Sequence, residues 1–210
     1  MSPRWIRFFL RPANVATSLA IVAGLAAAFL AVASRVPLAA ACLVLSGVLD
    51  MLDGPLARAF PGPKEARDLG LHLDSLADAL NFGFAPAVLA FAGLGLASPA
   101  EAALLALFLL AVVGRLAAFN TFGLERSGDG RYYRGLPTTF AALFVPLATC
   151  ATGLVSGDTL RWIFRALYAA LAIGMVSPVR IRKPGKIVLG ILLLLAVAVL
   201  VRLLLIDWSS

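Results

Sequence analysis

"LDMLDGPLARAF", residues 49–60, decides how this chain is read. Asp50 and Asp53 end a run that is otherwise fit for the interior of a bilayer, and Gly54, Pro55, Ala57 and Arg58 follow at once. The setting makes those carboxylates informative. The chain has 210 residues, 61% of them hydrophobic and 14% charged. Its mean hydropathy is +0.96. Soluble domains are about 45–50% apolar and about 25% charged. Both departures indicate an integral membrane protein.

Residues 12–34, 79–100 and 135–157 carry no Asp, Glu, Lys or Arg, and a helical span needs about 20 such residues. With the segments that carry one or a few charges, the reading is an all-α, polytopic membrane bundle. It has seven helices, at roughly 14–34, 38–60, 70–95, 101–121, 137–156, 159–177 and 187–206. The whole of 1–210 is read as one membrane domain, with 187–206 as an extra C-terminal helix far from any chemistry. Ala31-Val32-Ala33 resembles a cleavage site, but the uncharged run before it is too long for a signal-peptide core, so a retained first helix is expected.

The net charge of +7 invites a nucleic-acid reading, and the distribution of charge argues against one. Arg4, Arg7 and Arg11 precede the first helix. Lys64 and Arg67 lie between the second and third, Arg126, Arg131 and Arg134 between the fourth and fifth, and Arg180, Arg182, Lys183 and Lys186 between the sixth and seventh. Alternate loops therefore carry the basic residues, which is the positive-inside pattern. It places the N-terminus and the 61–69 loop in the cytoplasm, with a bacterial inner membrane the expected location. Some of these cations are also suited to anionic headgroups. Cys42 and Cys150 fall in apolar spans and read as packing residues.

On a helix, Asp50 and Asp53 are separated by about 60° of rotation and about 4.5 Å of rise. Asp74 and Asp78, four apart, also share a face. The short Pro- and Gly-rich connection makes the second and third helices antiparallel neighbours, so four carboxylates converge at one depth. Uncompensated, they are strongly unfavourable there. Protonation, pairing with Arg58, Arg67 or Arg115, or divalent cations would each relieve them. Carboxylate oxygens suit Mg²⁺, Mn²⁺ or Ca²⁺. Two such ions would neutralise the set. A single histidine, His72, and two distant cysteines disfavour zinc. Gly54 and Ala57 leave room beside the carboxylates, and Arg58 offers a fork of donors to phosphate. Carboxylates, arginine and space together suggest a metal-bound pyrophosphate.

These residues resemble the motif of the CDP-alcohol phosphatidyltransferases, D-x2-D-G-x2-A-R-x8-G-x3-D-x3-D. Here it is filled by Asp50, Asp53, Gly54, Ala57, Arg58, Gly70, Asp74 and Asp78, eight positions within 29 residues. Eleven residues, not eight, separate Arg58 from Gly70, and the extra ones are assigned to the connecting loop. The resemblance implies a helical membrane bundle, commonly a homodimer, in which an alcohol attacks the lipid-linked phosphorus of a CDP-lipid and displaces CMP. It implies that Asp50, Asp53 and Asp74 bind metal, and that Asp78 completes the second metal site and serves as general base. It also implies that Asp50, Gly54, Ala57, Arg58, Gly70 and Asp74 contact the CDP moiety.

Finer features resemble the phosphatidylserine synthases within that family: "DSLADALNFGFAPA", "GRLAAFN", "YYRGLPTTFAA" and "SPVRIRKP". They imply CDP-diacylglycerol and serine as substrates. Ala118 stands where the pattern has arginine, and Asn81 where it has serine. Arg115, Asn120, Arg134 and Arg182 are candidates for the acceptor or a lipid phosphate, and Arg165 has no evident partner. Another polar alcohol, such as glycerol 3-phosphate or inositol phosphate, is the alternative acceptor. A metal transporter is the rival from another class; it would place its site at the midplane between internal repeats, and no repeat is visible. A lipid-binding scaffold would not need four aligned aspartates.

Overall fold

A computed structural model describes residues 4–127, 130–182 and 184–205. Among these the order is α1 (Arg4–Phe9), α2 (Pro12–Val32), α3 (Val36–Ala59), α4 (Lys64–Gly93), α5 (Pro99–Phe122), β1 (Glu125–Ser127), β2 (Gly130–Arg134), α6 (Thr138–Thr149), α7 (Gly157–Val176), β3 (Arg180–Arg182) and α8 (Lys186–Leu204). All seven expected helices are present, and six are long and apolar enough to cross a membrane. The fifth, α6, differs from expectation. It stops at Thr149, and turns through Gly153, at φ +78°, follow. Its 12 residues reach only about 18 Å, against a hydrocarbon core of about 30 Å. The apolar run to 156 hid this, because composition does not separate a helix from tight turns. Cys42 and Cys150 are free and half-buried, and Cys150 falls just past the helix end.

Small residues govern the packing. The buried face of α2 carries Ala16, Ala20, Ala23, Gly24, Ala27 and Ala31, so its backbone approaches α3 closely along its length. Gly24 is required by its neighbour: a Cβ there would lie 2.2 Å from Asn81 Oδ1. Helix α3 runs through Pro55 to Ala59. The proline leaves the Met51 carbonyl, between Asp50 and Asp53 in the chain, without its helical donor.

Helix α4 begins at Lys64, six residues before the expected start, behind the Pro61-Gly62-Pro63 turn. The long Arg58–Gly70 spacing is therefore taken up by helix as well as loop. Beyond Asp78, α4 widens into π-type turns at Ala79–Phe84 and Leu89–Gly93. There the Ala85 N–H donates to the Leu80 carbonyl, five residues back. Pro86 explains the need, since it has no N–H to give and crowds the preceding turn. The Pro86 carbonyl accepts from the Leu89 N–H and also from the buried Tyr168 hydroxyl of α7. Arg165 finds its partner in Glu101, with Nη2–Oε1 at 2.7 Å and Nε–Oε1 at 2.9 Å. Glu101 also closes a capping box with Ser98 at the start of α5.

One feature was not expected at all. Strands β1, β2 and β3 form an antiparallel sheet in that order, pairing Tyr132 with Arg182 and Tyr133 with Ile181. Glu125 meets both Arg134 (2.7 Å) and Arg180 (3.0 Å). Gly135 ends β2 at φ +75°, its N–H bonded to the Val179 carbonyl at 2.8 Å. A Cβ at Gly135 would sit 2.3 Å from the Met175 carbonyl oxygen. Replacing Gly135 with alanine should therefore cost about 1–3 kcal/mol. The check is a lowered thermal midpoint in detergent relative to Gly130→Ala, whose obstacle is only the Tyr132 side chain.

Candidate functional site

The turn after α3 places the ends of α3 and α4 side by side. Ligand oxygens of Asp50, Asp74 and Asp78 all lie within 4.8 Å of one another. Asp53 stands a step aside, accepting a hydrogen bond from Thr17 Oγ1 of α2 at 3.3 Å and lying beside Asp74. Asp78 lies against Asp50, and its Oδ1 is buried without a hydrogen-bond partner. Like charges about 4 Å apart repel by about 4 kcal/mol per pair at an effective dielectric of about 20. Arginine does not relieve them. Among the described residues the ion pairs are Arg134–Glu125, Arg165–Glu101 and Arg180–Glu125, and none reaches the cluster. Of the three ways to relieve the cluster, protons and divalent cations remain. Hard oxygen donors at this spacing, one of them buried and unpartnered, fit Mg²⁺ or Mn²⁺. Asp50, Asp74 and Asp78 would hold the ion, with Asp53 adjacent.

A polar cavity of about 330 Å³ opens beside the cluster between α2, α3 and α4. Asp53, Gly54, Ala57, Gly70 and Asp74 line it. A Cβ on Gly54 would meet only the Arg58 Nη1, at an ordinary 3.5 Å, so the space above Gly54 is open. Arg58 is exposed and outside the lining. Sequence reasoning missed three polar lining residues, Arg11, Asn14 and Thr17, whereas Arg67, expected as an ion-pair partner for the carboxylates, lines the cavity too. Asn14 and Thr17, three apart in an otherwise apolar span, were the available signal. Arg11 was read only as a topology charge, yet its guanidinium donates to the Phe60 and Pro61 carbonyls and ties α2 to the turn.

The other face of α3 is different. Val44, Gly47, Val48 and Met51, at helical spacing, border an apolar groove of about 1060 Å³ completed by α6 and α8. Tyr133 and Arg182 line it from the sheet. The four acceptor-side candidates separate by surroundings. Asn120 donates to Ser75 Oγ at 2.8 Å, Arg134 is held by Glu125, and Arg182 is exposed. Arg115 is buried, with its guanidinium carbon 5.1 Å from the Phe119 ring centroid and 5.5 Å from that of Tyr133. Burial raises the Tyr133 phenol above its ordinary pKa, so the ring is neutral at physiological pH. Lys183 lies outside the described residues. His72 is exposed.

Residues 10–176 match the family described as CDP-alcohol phosphatidyltransferase, and the chain belongs to that family. Strand β3 and helix α8 lie beyond the matched segment. Curated relatives include a CDP-diacylglycerol–serine O-phosphatidyltransferase of Saccharomyces cerevisiae, 35% identical over 59% of this chain and 46% of the relative. One of Mycobacterium leprae is 34% identical over 69% of this chain and 48% of its own. One of Helicobacter pylori is 30% identical over 80% of this chain and 70% of its own. The chain spans about half the length of the first two.

Metal binding should be visible without turnover. A hundredfold excess of Mg²⁺ or Mn²⁺ over its dissociation constant should stabilise the detergent-solubilised protein by about 2.7 kcal/mol, read as a raised thermal midpoint. Asp74→Asn should raise the midpoint in chelator, by removing a repelling charge, and abolish the response to metal.

Proposed function

We propose that the protein transfers the phosphatidyl group of CDP-diacylglycerol to the hydroxyl of L-serine, releasing CMP. One observation carries this reading: the carboxylate cluster sits where a polar cavity and an apolar groove flank the same helix. A CDP-lipid has a corresponding division. Its nucleotide suits the cavity bounded by Gly54, Ala57 and Gly70, with Arg58 above Gly54. Its acyl chains suit the groove between α3, α6 and α8. The pyrophosphate then falls beside Asp50, Asp74 and Asp78. Serine is supported by the names of the relatives and by the finer sequence resemblance.

In this reading Asp78 accepts the proton of the serine hydroxyl as its oxygen attacks the lipid-linked phosphorus. The bond from that phosphorus to the oxygen bridging to CMP breaks, and CMP leaves with the electron pair. Phosphoryl transfer asks chiefly for positioning and charge neutralisation. Divalent ions, two in the fullest form, would supply the neutralisation at the attacking and leaving oxygens. The chain's own task is to hold the carboxylates together, to align the nucleotide against α3 and to keep the acyl chains in an apolar setting. The basic residues at this end of the bundle support a cytoplasmic site and N-terminus in a bacterial inner membrane. A single domain and a homodimer belong to the same reading.

The test is CMP release from CDP-diacylglycerol by purified protein with Mg²⁺ or Mn²⁺ and each candidate alcohol. Serine should drive release. A chelator should stop it, and Asp78→Asn should lower kcat by at least about 10²-fold. Release with glycerol 3-phosphate and not serine would overturn the acceptor. Metal flux in liposomes without CMP release would instead identify a transporter.

A further inference from the structure

Among the described residues Arg115 is a cation without a counterion. It is 8% exposed, and its Nε is buried with no hydrogen-bond partner. Among the described residues no carboxylate lies within ion-pair distance of it. Two aromatic rings hold it. Phe119, one turn on along α5, and Tyr133, from β2, are 5.8 Å apart between centroids, inclined at 39°. Ring faces attract a guanidinium but offer no acceptor in its plane. The donor fork is thus held in place and unspent, within electrostatic reach of Asp78. Three other cations at this end are engaged: Arg134 and Arg180 with Glu125, and Arg11 with backbone carbonyls.

We infer that Tyr133 is a positioning residue which, with Phe119, holds Arg115 as the receptor for a carboxylate on the acceptor alcohol. The chain thereby selects hydroxy amino acids over alcohols of the same size that lack the carboxylate. Planar guanidinium and carboxylate pair through two parallel hydrogen bonds, so this contact orients the acceptor as well as attracting it. The sheet sets the position of the Tyr133 ring. Tyr133 pairs with Ile181 of β3, Glu125 links β2 and β3 through its two arginines, and Gly135 closes the strand against α7. Strand β3 lies outside the segment matched to the family, so the clamp draws on this chain's C-terminal part. The inference rests on the proposed reaction and supplies the acceptor class for it.

The experiment compares serine with serinol, which keeps a hydroxyl and the amine but has a hydroxymethyl group in place of the carboxylate. Steady-state CMP release is measured for wild type, Tyr133→Phe and Tyr133→Leu. A site built to pair with a charged group rejects the analogue lacking it strongly, so wild type should favour serine by about 100-fold or more in kcat/KM. Tyr133→Phe keeps the ring and should keep the preference. Tyr133→Leu should raise the KM for serine by roughly tenfold, out of proportion to any change in the turnover of serinol. Phe119→Leu should act in the same direction, and replaces Tyr133→Leu if that variant cannot be purified folded. If serine turnover is unaltered in the leucine variants, or falls equally with serinol, this inference is overturned and the serine reading stands. If wild type turns over serinol as well as serine, the carboxylate receptor is overturned. If wild type releases no CMP with serine, both fail.

Discussion

Acidic side chains from two adjacent membrane helices, drawn together with no ion pair to balance them among the described residues, set the terms for the rest of this fold. Asp50, Asp74 and Asp78 stay close only because α3 and α4 are fixed against one another. The Phe60–Pro63 turn, Arg11 bonded across it and the small face of α2 all serve that end. Such an arrangement is costly to the protein alone. Its retention of a buried, unpartnered carboxylate oxygen on Asp78 is what an ion-binding site requires and what a merely structural helix pair would avoid.

Helix α3 is both ligand and partition. Its Val44, Gly47, Val48 and Met51 edge is apolar and borders the larger groove, whereas Asp53, Gly54 and Ala57 face the polar cavity. By helical geometry Asp50 falls on the same side of α3 as Asp53 and Ala57. A substrate with a nucleotide at one end and acyl chains at the other can therefore straddle a single helix. Neither half need enter the other's environment, which is the economy the proposed reaction needs at a bilayer surface.

Much of this was legible in the sequence for simple physical reasons. Hydrocarbon thickness forces long apolar runs, so the seven helices declared themselves. Carboxylates in such runs are conspicuous, so the cluster residues were singled out from spacing alone. What escaped depends on contacts between distant residues. Strands of three to five residues, the third paired to the second across some fifty positions, leave no periodic signature. The polar face of α2, Asn14 and Thr17, could be assigned to the cavity only once α4 lay beside it. Arg165 acquired its partner, Glu101, only when α5 met α7. The end of α6 was hidden because turns inside an apolar run look like helix.

The short α6 also accounts for the role of the C-terminal part. A helix of 12 residues cannot cover the full depth of α3, so a bundle ending at α7 would leave the apolar edge of α3 open to lipid over much of its length. Helix α8 packs against both α3 and α6 and turns that opening into a bounded groove, lined by Ala196 of α8 as well as Val44 and Met51 of α3. Strand β3, immediately before α8, completes the sheet that carries Tyr133. The segment beyond the family match thus walls the groove with one element and braces the arginine clamp with the other. A segment that looked remote from the chemistry along the chain is, in three dimensions, joined to both sides of the site through one short connection at Pro184 and Gly185.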